Sequence, residues 1–259
     1  MSGPATVALH HEQHGPPEAP ALLLAGSLGT SLEMWRPQVE AFSGRFRVIA
    51  LDHRGHGRSP LGPGAHTIAD MGADVIALMD RLGLERAAYV GLSIGGMVGI
   101  WLGANAPRRL ARMVLLCTSA HAPPPSRWLE RAGAVRAAGT VQAVADAVLA
   151  RWFTPGFARE HPQLVSTYRE MLVATDPEGY ARCCEAIAAM DLRDHLGRVT
   201  APTLVVAALE DLALEPEHQR LVADGIPGAR FEQVAHAAHI ASAERPEQVN
   251  RLIEEHLCG

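Results

Sequence analysis

Short apolar segments alternate along the chain with longer segments in which apolar residues recur at helical spacing. The short segments predict β-strands at 6–11, 21–25, 46–51, 87–90, 113–117, 203–208 and 229–234. The longer segments predict helices at 68–82, 94–104, 216–223 and 246–257. Such alternation is typical of a mostly parallel sheet with helices on both faces. A proline-rich segment at 15–20 predicts a hairpin loop after the first strand.

The alternation of strands and helices stops between about 119 and 198. Three consecutive prolines at 123–125 cannot continue a strand or a helix. The segments that follow, at 126–138, 141–152, 161–174 and 177–190, all have helical spacing. We interpret 120–197 as a helical cap inserted over the C-terminal edge of the sheet, and 1–119 together with 198–259 as the α/β core.

Ser93 lies at a glycine-rich turn between a predicted strand and a predicted helix. Residues 91–95 read Gly-Leu-Ser-Ile-Gly, the G-x-S-x-G form of a nucleophile elbow. Gly91 and Gly95 suit this turn because a Cβ at either position would clash across it. A chance match is the alternative, but the strand before the turn and the helix after it favour a nucleophilic serine.

A serine nucleophile needs a base and an acid, which follow it along the chain in this kind of fold. The acid is expected after the strand at 203–208, where Glu210 and Asp211 both stand. The base is expected after the strand at 229–234, where His236 and His239 both stand. We favour Asp211, which lies deeper in its loop, and His239, but Glu210 and His236 stay open as alternatives.

Two backbone N–H groups should form an oxyanion hole. One is expected at Ile94, directly after the nucleophile, and the other in the loop after an early strand. That loop is Gly-Ser-Leu-Gly-Thr at 26–30, and Leu28 is the candidate donor.

Composition narrows the class of protein. The chain has 259 residues, of which 48% are hydrophobic, so it can bury one large core. Its net charge of −5 and the lack of basic runs disfavour nucleic-acid and membrane partners. Four cysteines without C-x-x-C spacing, and no basic-then-apolar leader within 1–14, predict a cytoplasmic protein without disulfides.

The polar loop 52–59 also contains potential metal ligands. Asp52, His53 and His56 do not have the spacing of a recognised zinc site, so we predict no metal there. No other motif indicates a cofactor.

With these residues in place, the chain resembles the α/β-hydrolases over nearly its whole length. Residues 52–59 match the D-x-R-G-x-G-x-S loop of that family, and His239 followed by Glu244-Arg245-Pro246 resembles its late histidine motif. Residues 26–35 resemble the S-L-G-T…M-W segment of 3-oxoadipate enol-lactonases, where most α/β-hydrolases carry His-Gly. Segments 145–154, 175–180 and 184–187 of the predicted cap resemble the same enzymes. Leu209-Glu210 departs from their pattern, in which Gly-x precedes the acid.

The resemblance implies a carboxylic-ester hydrolase that opens 3-oxoadipate enol-lactone to 3-oxoadipate, in the β-ketoadipate pathway, through an acyl-enzyme on Ser93. It implies a small-molecule lactone as substrate, whose carboxylate would need an arginine. The arginines available in the cap are Arg127, Arg131, Arg136 and Arg151, and Trp152 is a candidate apolar wall.

Other functions fit the same fold. A small-ester esterase, a carbon–carbon bond hydrolase and a perhydrolase are alternatives, and a ligand-binding protein without turnover is a further one. A homo-oligomer is compatible with the sequence. A natural fusion of this chain to a decarboxylase domain is compatible with it as well.

Overall fold

A mixed but mostly parallel sheet organises the molecule. The computed structural model describes residues 6–259; residues 1–5, part of the segment inspected for a leader, lie outside the described residues. The strands are β1 (His11–His14), β2 (Ala21–Ala25), β3 (Arg47–Leu51), β4 (Ala87–Leu92), β5 (Leu110–Leu116), β6 (Thr203–Ala208) and β7 (Arg230–Val234). They lie in the order β1-β3-β2-β4-β5-β6-β7, and only β1 is antiparallel to its neighbour. This confirms the predicted α/β fold with a mostly parallel sheet.

Helices cover both faces of the sheet. They are α1 (Arg36–Phe42), α2 (Ile68–Arg81), α3 (Ile94–Asn105), α4 (Pro125–Ala138), α5 (Ala145–Trp152), α6 (Pro155–Glu160), α7 (Pro162–Ala174), α8 (Pro177–Ala189), α9 (Pro216–Gly225), α10 (Ala241–Glu244) and α11 (Pro246–Cys258). Every residue of β2, β4 and β6 is buried, as expected for parallel strands covered on both faces. No helix within 6–259 has the length and apolarity needed to cross a bilayer.

The first strand differs from the prediction. The segment 6–11 was expected to form it, but the strand begins at His11, which pairs with Leu51. Val7 and Leu9 are buried and alternate as in a strand. The backbone there is instead bonded partly to side chains, because the Val7 amide donates to Asp74 Oδ1 at 2.8 Å. Residues 6–10 thus alternate in burial although the β1–β3 ladder begins only at His11, with one further backbone bond from the Asp52 amide to the His10 carbonyl at 3.0 Å.

The expected hairpin at 15–20 is also wrong. β3 lies between β1 and β2 in the sheet, so the loop joins two strands that are not neighbours. β1 pairs antiparallel with β3, whereas β2 pairs with it in parallel. The turn residues were recognised correctly, but a turn does not determine which strand a segment pairs with.

The region between β5 and β6 is helical, with two local differences from the prediction. The segment 141–152 divides into a 3₁₀ turn (Val141–Val144) and α5. The short helix α6 was not predicted. α8 packs closely against the loop 52–59, since a Cβ on Gly179 would lie 2.5 Å from the Gly55 carbonyl oxygen. The boundaries 120–197 for a separate cap stay a prediction.

Candidate active site

Ser93 occupies a strained turn between β4 and α3. Its φ of 57° and ψ of −118° are rare for a residue with a side chain, and such strain concentrates at functional sites. The Ser93 amide donates to the Leu116 carbonyl at 2.9 Å, and the Thr118 hydroxyl donates to the Ser93 carbonyl at 2.6 Å. Both backbone groups of Ser93 are therefore held while its side chain remains available.

The two glycines of the turn stand where no side chain fits. A Cβ on Gly91 would lie 2.3 Å from the Gly95 carbonyl oxygen, and a Cβ on Gly95 would lie 2.1 Å from the Ala25 carbonyl oxygen. Backbone cannot retreat by such amounts without moving β2 or α3. The glycine requirement inferred from the sequence thus has a concrete cause in this structure.

Asp211 and His239 form a buried hydrogen-bonded pair. His239 Nδ1 lies 2.8 Å from Asp211 Oδ2, and each residue is 2% exposed. An ionised carboxylate only accepts hydrogen bonds, so beside it Nδ1 is the donor, and in the neutral ring Nε2 then carries the free lone pair. The second oxygen, Asp211 Oδ1, accepts from the amides of Ala213 and Leu214 at 2.7 and 3.0 Å. These bonds fix the carboxylate and, through it, the ring.

The two rival residues lie on the surface. Glu210 and His236 are exposed and approach each other at 3.7 Å, forming an ion pair only when the imidazole is protonated. The Glu210 amide donates to the Ala237 carbonyl at 2.9 Å, which joins the two loops at their outer side. The alternatives left open by the sequence are therefore separated by burial, with Asp211 and His239 inside.

Ser93, Asp211 and His239 follow the ends of β4, β6 and β7, which run parallel. They consequently lie along one edge of the sheet, where ligands bind in open α/β folds. Within residues 6–259, the Ser93 hydroxyl donates no hydrogen bond to another side chain. Hydrogen bonds between catalytic groups often tighten only when substrate is bound.

The loop 26–30 presents a free N–H beside the elbow. The Ser27 amide donates to Met34 Sδ at 3.3 Å, and the Ser27 carbonyl accepts from the Thr30 amide at 3.2 Å. The Leu28 amide has no acceptor among the described residues. Ile94 is the first residue of α3, where an N–H has no partner within the helix. These two donors are the ones the sequence predicted.

His53 holds the same loop from behind, a role that sequence reasoning missed. Its Nε2 lies 3.1 Å from the Gly26 carbonyl oxygen, which also accepts from the Gly95 amide at 3.1 Å. Burial, with a smaller contribution from His56, lowers the pKa of His53 to about 3. The ring is therefore neutral and donates from Nε2. The only sequence signal for it was its position in the 52–59 loop.

Arg127 lies beside the Asp211 loop and within electrostatic reach of Arg131 and Arg151, and these three arginines are here called the basic cluster. Arg127 Nη2 donates to the Ala213 carbonyl at 3.0 Å, whereas its buried Nε has no partner within 6–259. Burial lowers the pKa of Arg127, the charges of Arg131 and Arg151 lower it further, and Glu215 and Asp211 partly offset this. The unpaired Nε of Arg127 is a donor that an anionic ligand could use.

The fourth cap arginine and the tryptophan have other environments. Arg136 is exposed and paired with Glu178 and Glu185, so it is not part of the basic cluster. Trp152 is 3% exposed and meets Tyr168 edge-to-face at 6.2 Å. Its backbone carbonyl accepts from the Ile240 amide at 3.0 Å. The expected apolar wall at Trp152 stays a prediction.

Comparisons with known proteins agree with this geometry. The profile of the α/β hydrolase fold family matches residues 20–246. The chain is 37% identical over 248 residues to 3-oxoadipate enol-lactonase 2 of Acinetobacter baylyi, covering 96% of this chain and 92% of that protein. It is 34% identical to the "Putative carbamate hydrolase RutD" of Variovorax paradoxus, covering 96% of both chains.

Among solved structures, the enol-lactonase from Burkholderia xenovorans superposes with a TM-score of 0.95 at 40% identity, covering 98% of this chain and 97% of that one. The resemblance inferred from the sequence motifs is thereby confirmed. The chain belongs to the α/β-hydrolase fold family, and its relatives named here are hydrolases.

Proposed function

We propose that this protein is a serine hydrolase that opens 3-oxoadipate enol-lactone. The observation that carries the proposal is the buried Asp211–His239 hydrogen bond at the same sheet edge as the strained Ser93 turn. Similarity to two enol-lactonases over nearly the whole chain supports the lactone as substrate.

The proposed reaction begins with attack of Ser93 Oγ on the lactone carbonyl carbon. His239 Nε2 takes the hydroxyl proton, and Asp211 stabilises the imidazolium that results. The Leu28 and Ile94 N–H groups donate to the oxyanion of the tetrahedral intermediate. Substrate binding draws the Ser93 hydroxyl and the His239 ring together, because proton transfer requires hydrogen-bond distance.

The intermediate then collapses by breaking the bond between the acyl carbon and the ring oxygen. His239 returns its proton to that oxygen, and the enol so formed becomes the ketone. Water attacks the acyl-enzyme with His239 as base, which frees the second carboxylate and restores Ser93.

The basic cluster of Arg127, Arg131 and Arg151 would receive the carboxylate that the substrate already carries. The unpaired Arg127 Nε supports this, because an anion would supply the missing acceptor. Arg127 also contacts the Asp211 loop through Ala213, which supports a role for Arg127 near the reacting groups.

A carbamate is the second candidate substrate, favoured by the 34% identity to the protein of Variovorax paradoxus. The same serine, histidine and oxyanion donors would act on a carbamate carbonyl. The two candidates differ in the groups attached to that carbonyl, and the basic cluster would favour the substrate that carries a carboxylate.

The deciding experiment compares kcat/KM of the purified protein on the enol-lactone, a carbamate and p-nitrophenyl acetate. We expect the lactone to be preferred, and Arg127→Gln to raise KM for the lactone but not for the neutral ester. A wide preference for either other substrate would overturn the proposal. Labelling of Ser93 by a fluorophosphonate tests whether the chain is a ligand-binding protein without turnover, because such a protein would not react.

A further inference from the structure

Glu244 is a buried carboxylate that none of the proposed chemical steps uses. It ends helix α10, five positions after His239, and is 2% exposed. An acid buried to this degree is rare unless its oxygens are bonded. Glu244 satisfies them with donors from two different parts of the chain.

The first set of donors belongs to Thr154, in the turn between α5 and α6. Glu244 Oε1 accepts from the Thr154 hydroxyl and, at 3.2 Å, from the Thr154 amide. The Thr154 side chain also accepts from the Phe157 amide at 3.3 Å as the N-cap of α6. The carboxylate is therefore anchored to the start of a helix in the segment inserted between β5 and β6.

The second donor belongs to the His239 loop. Glu244 Oε2 accepts from the Ala238 amide at 2.9 Å, one residue before the histidine. One residue after the histidine, the Ile240 amide donates to the Trp152 carbonyl at 3.0 Å. The residues on both sides of His239 are thus tied to residues 152–154 of the inserted segment, Ala238 through Glu244 and Ile240 directly.

We propose that Glu244 is a positioning residue that fixes His239 against the inserted helical segment, so that the imidazole is aligned only while that segment is docked. This inference rests on the proposed role of His239 as base. The sheet alone does not hold this loop, because β7 ends at Val234 and five residues separate it from Ile240. The Glu210 amide and the Asp211–His239 bond restrain the loop from the sheet side. The bonds of Glu244 and Ile240 to residues 152–154, here called the clamp, add a restraint from the inserted segment.

The test pairs Glu244→Gln with substitutions at Thr154. Glutamine keeps the shape of the side chain but offers one acceptor oxygen and turns an NH₂ group toward an N–H donor. We expect kcat to fall by about 10–100-fold, since a displacement of about 1 Å in a catalytic group costs on the order of 10²-fold, with little change in KM. Thr154→Val, which loses the hydroxyl, should also lower kcat. Thr154→Ser, which keeps a hydroxyl, should retain wild-type activity.

Thr175→Val is the matched control. Thr175 is also a buried threonine of the inserted segment, but its hydroxyl donates to the Met171 carbonyl at 3.0 Å. It should keep wild-type kcat. The downfield proton resonance of His239 Nδ1–H should broaden or shift in Glu244→Gln and Thr154→Val, and stay in place in Thr175→Val.

The rate of fluorophosphonate labelling of Ser93 separates this inference from the choice of substrate. It should slow in step with kcat in Glu244→Gln, whatever ester or lactone the protein prefers. Wild-type labelling and an unmoved resonance in Glu244→Gln would overturn the clamp. If Glu244→Gln does not fold, equal activity of Thr154→Val and Thr154→Ser would overturn it. A wild-type enzyme inactive on the lactone but readily labelled would overturn only the proposed substrate.

Discussion

The two halves of the candidate site are held by different kinds of interaction. On the Ser93 side, position is set by backbone packed against backbone, with glycines where a Cβ would lie 2.1–2.3 Å from a carbonyl oxygen. On the Asp211–His239 side, position is set by carboxylates that accept several N–H donors. The first half tolerates no added atom, and the second tolerates no lost charge or acceptor.

Asp211→Asn should have the largest effect, and it acts on the second half. The amide would no longer hold His239 in the tautomer with Nε2 free, and kcat should fall on the order of 10⁴-fold, as when the aspartate of a serine–histidine–aspartate triad is replaced. Glu210→Gln is the control, and should leave kcat unchanged because Glu210 is exposed. The opposite result would reassign the acid and remove the buried pair from the comparison.

Gly95→Ala should damage the first half by steric conflict. We expect the free energy of unfolding to fall by about 1–3 kcal/mol or more, because overpacked backbone has little room to relax. Gly133→Ala is the control, because Gly133 lies in the interior of α4 and nothing lies within 4 Å of a Cβ there. In this variant the free energy of unfolding should rise by about 0.5–1 kcal/mol. Urea unfolding measures both, and equal effects would refute the packing argument.

His53 should give the first half a pH dependence of its own, which appears only below about pH 6.5. Its pKa of about 3 when folded lies below the value of 6.5 expected when unfolded, so the unfolded state binds more protons in that window. The contribution of neutral His53 to the free energy of unfolding is fully present above about pH 6.5. It is lost as the pH falls toward about 3, by up to about 1.4 kcal/mol per pH unit for one proton.

His53→Gln should flatten this slope by that amount while keeping an N–H donor for the Gly26 carbonyl. Urea unfolding at a series of pH values measures the slope. Identical slopes in the wild type and the variant would show that His53 is protonated in the folded protein, and would remove it as a neutral support of the loop.

The same contrast explains how much of the molecule was predictable from sequence. Tight packing leaves a local signature, so Gly91, Ser93 and Gly95 were recognised together. The order of strands and helices was also readable, because buried parallel strands are short apolar runs. The glycine-rich turn therefore gave the position of the candidate nucleophile, and the order of strands and helices gave the sheet.

Long-range hydrogen bonds leave no such signature. Nothing in the residues around Glu244 indicates that its partners are Thr154 and Ala238, and His53 is separated from Gly26 by a whole strand and helix. Glu210 and Asp211 are adjacent acids, so only burial separates them. At 6–10, alternating apolar residues resembled a strand, but the Val7 and His10 amides donate to the side chains of Asp74 and Ser59 instead of to a neighbouring strand.

The attachment of residues 152–154 to both neighbours of His239 has a consequence for protein engineering. Exchanging the whole helical insert for that of a relative, in order to graft a new specificity, would also replace the anchor of the proposed general base. A chimera should therefore retain the native turn after α5, or import the donor turn together with its own acidic partner. Otherwise a loss of turnover would be misread as failed recognition of the new compound.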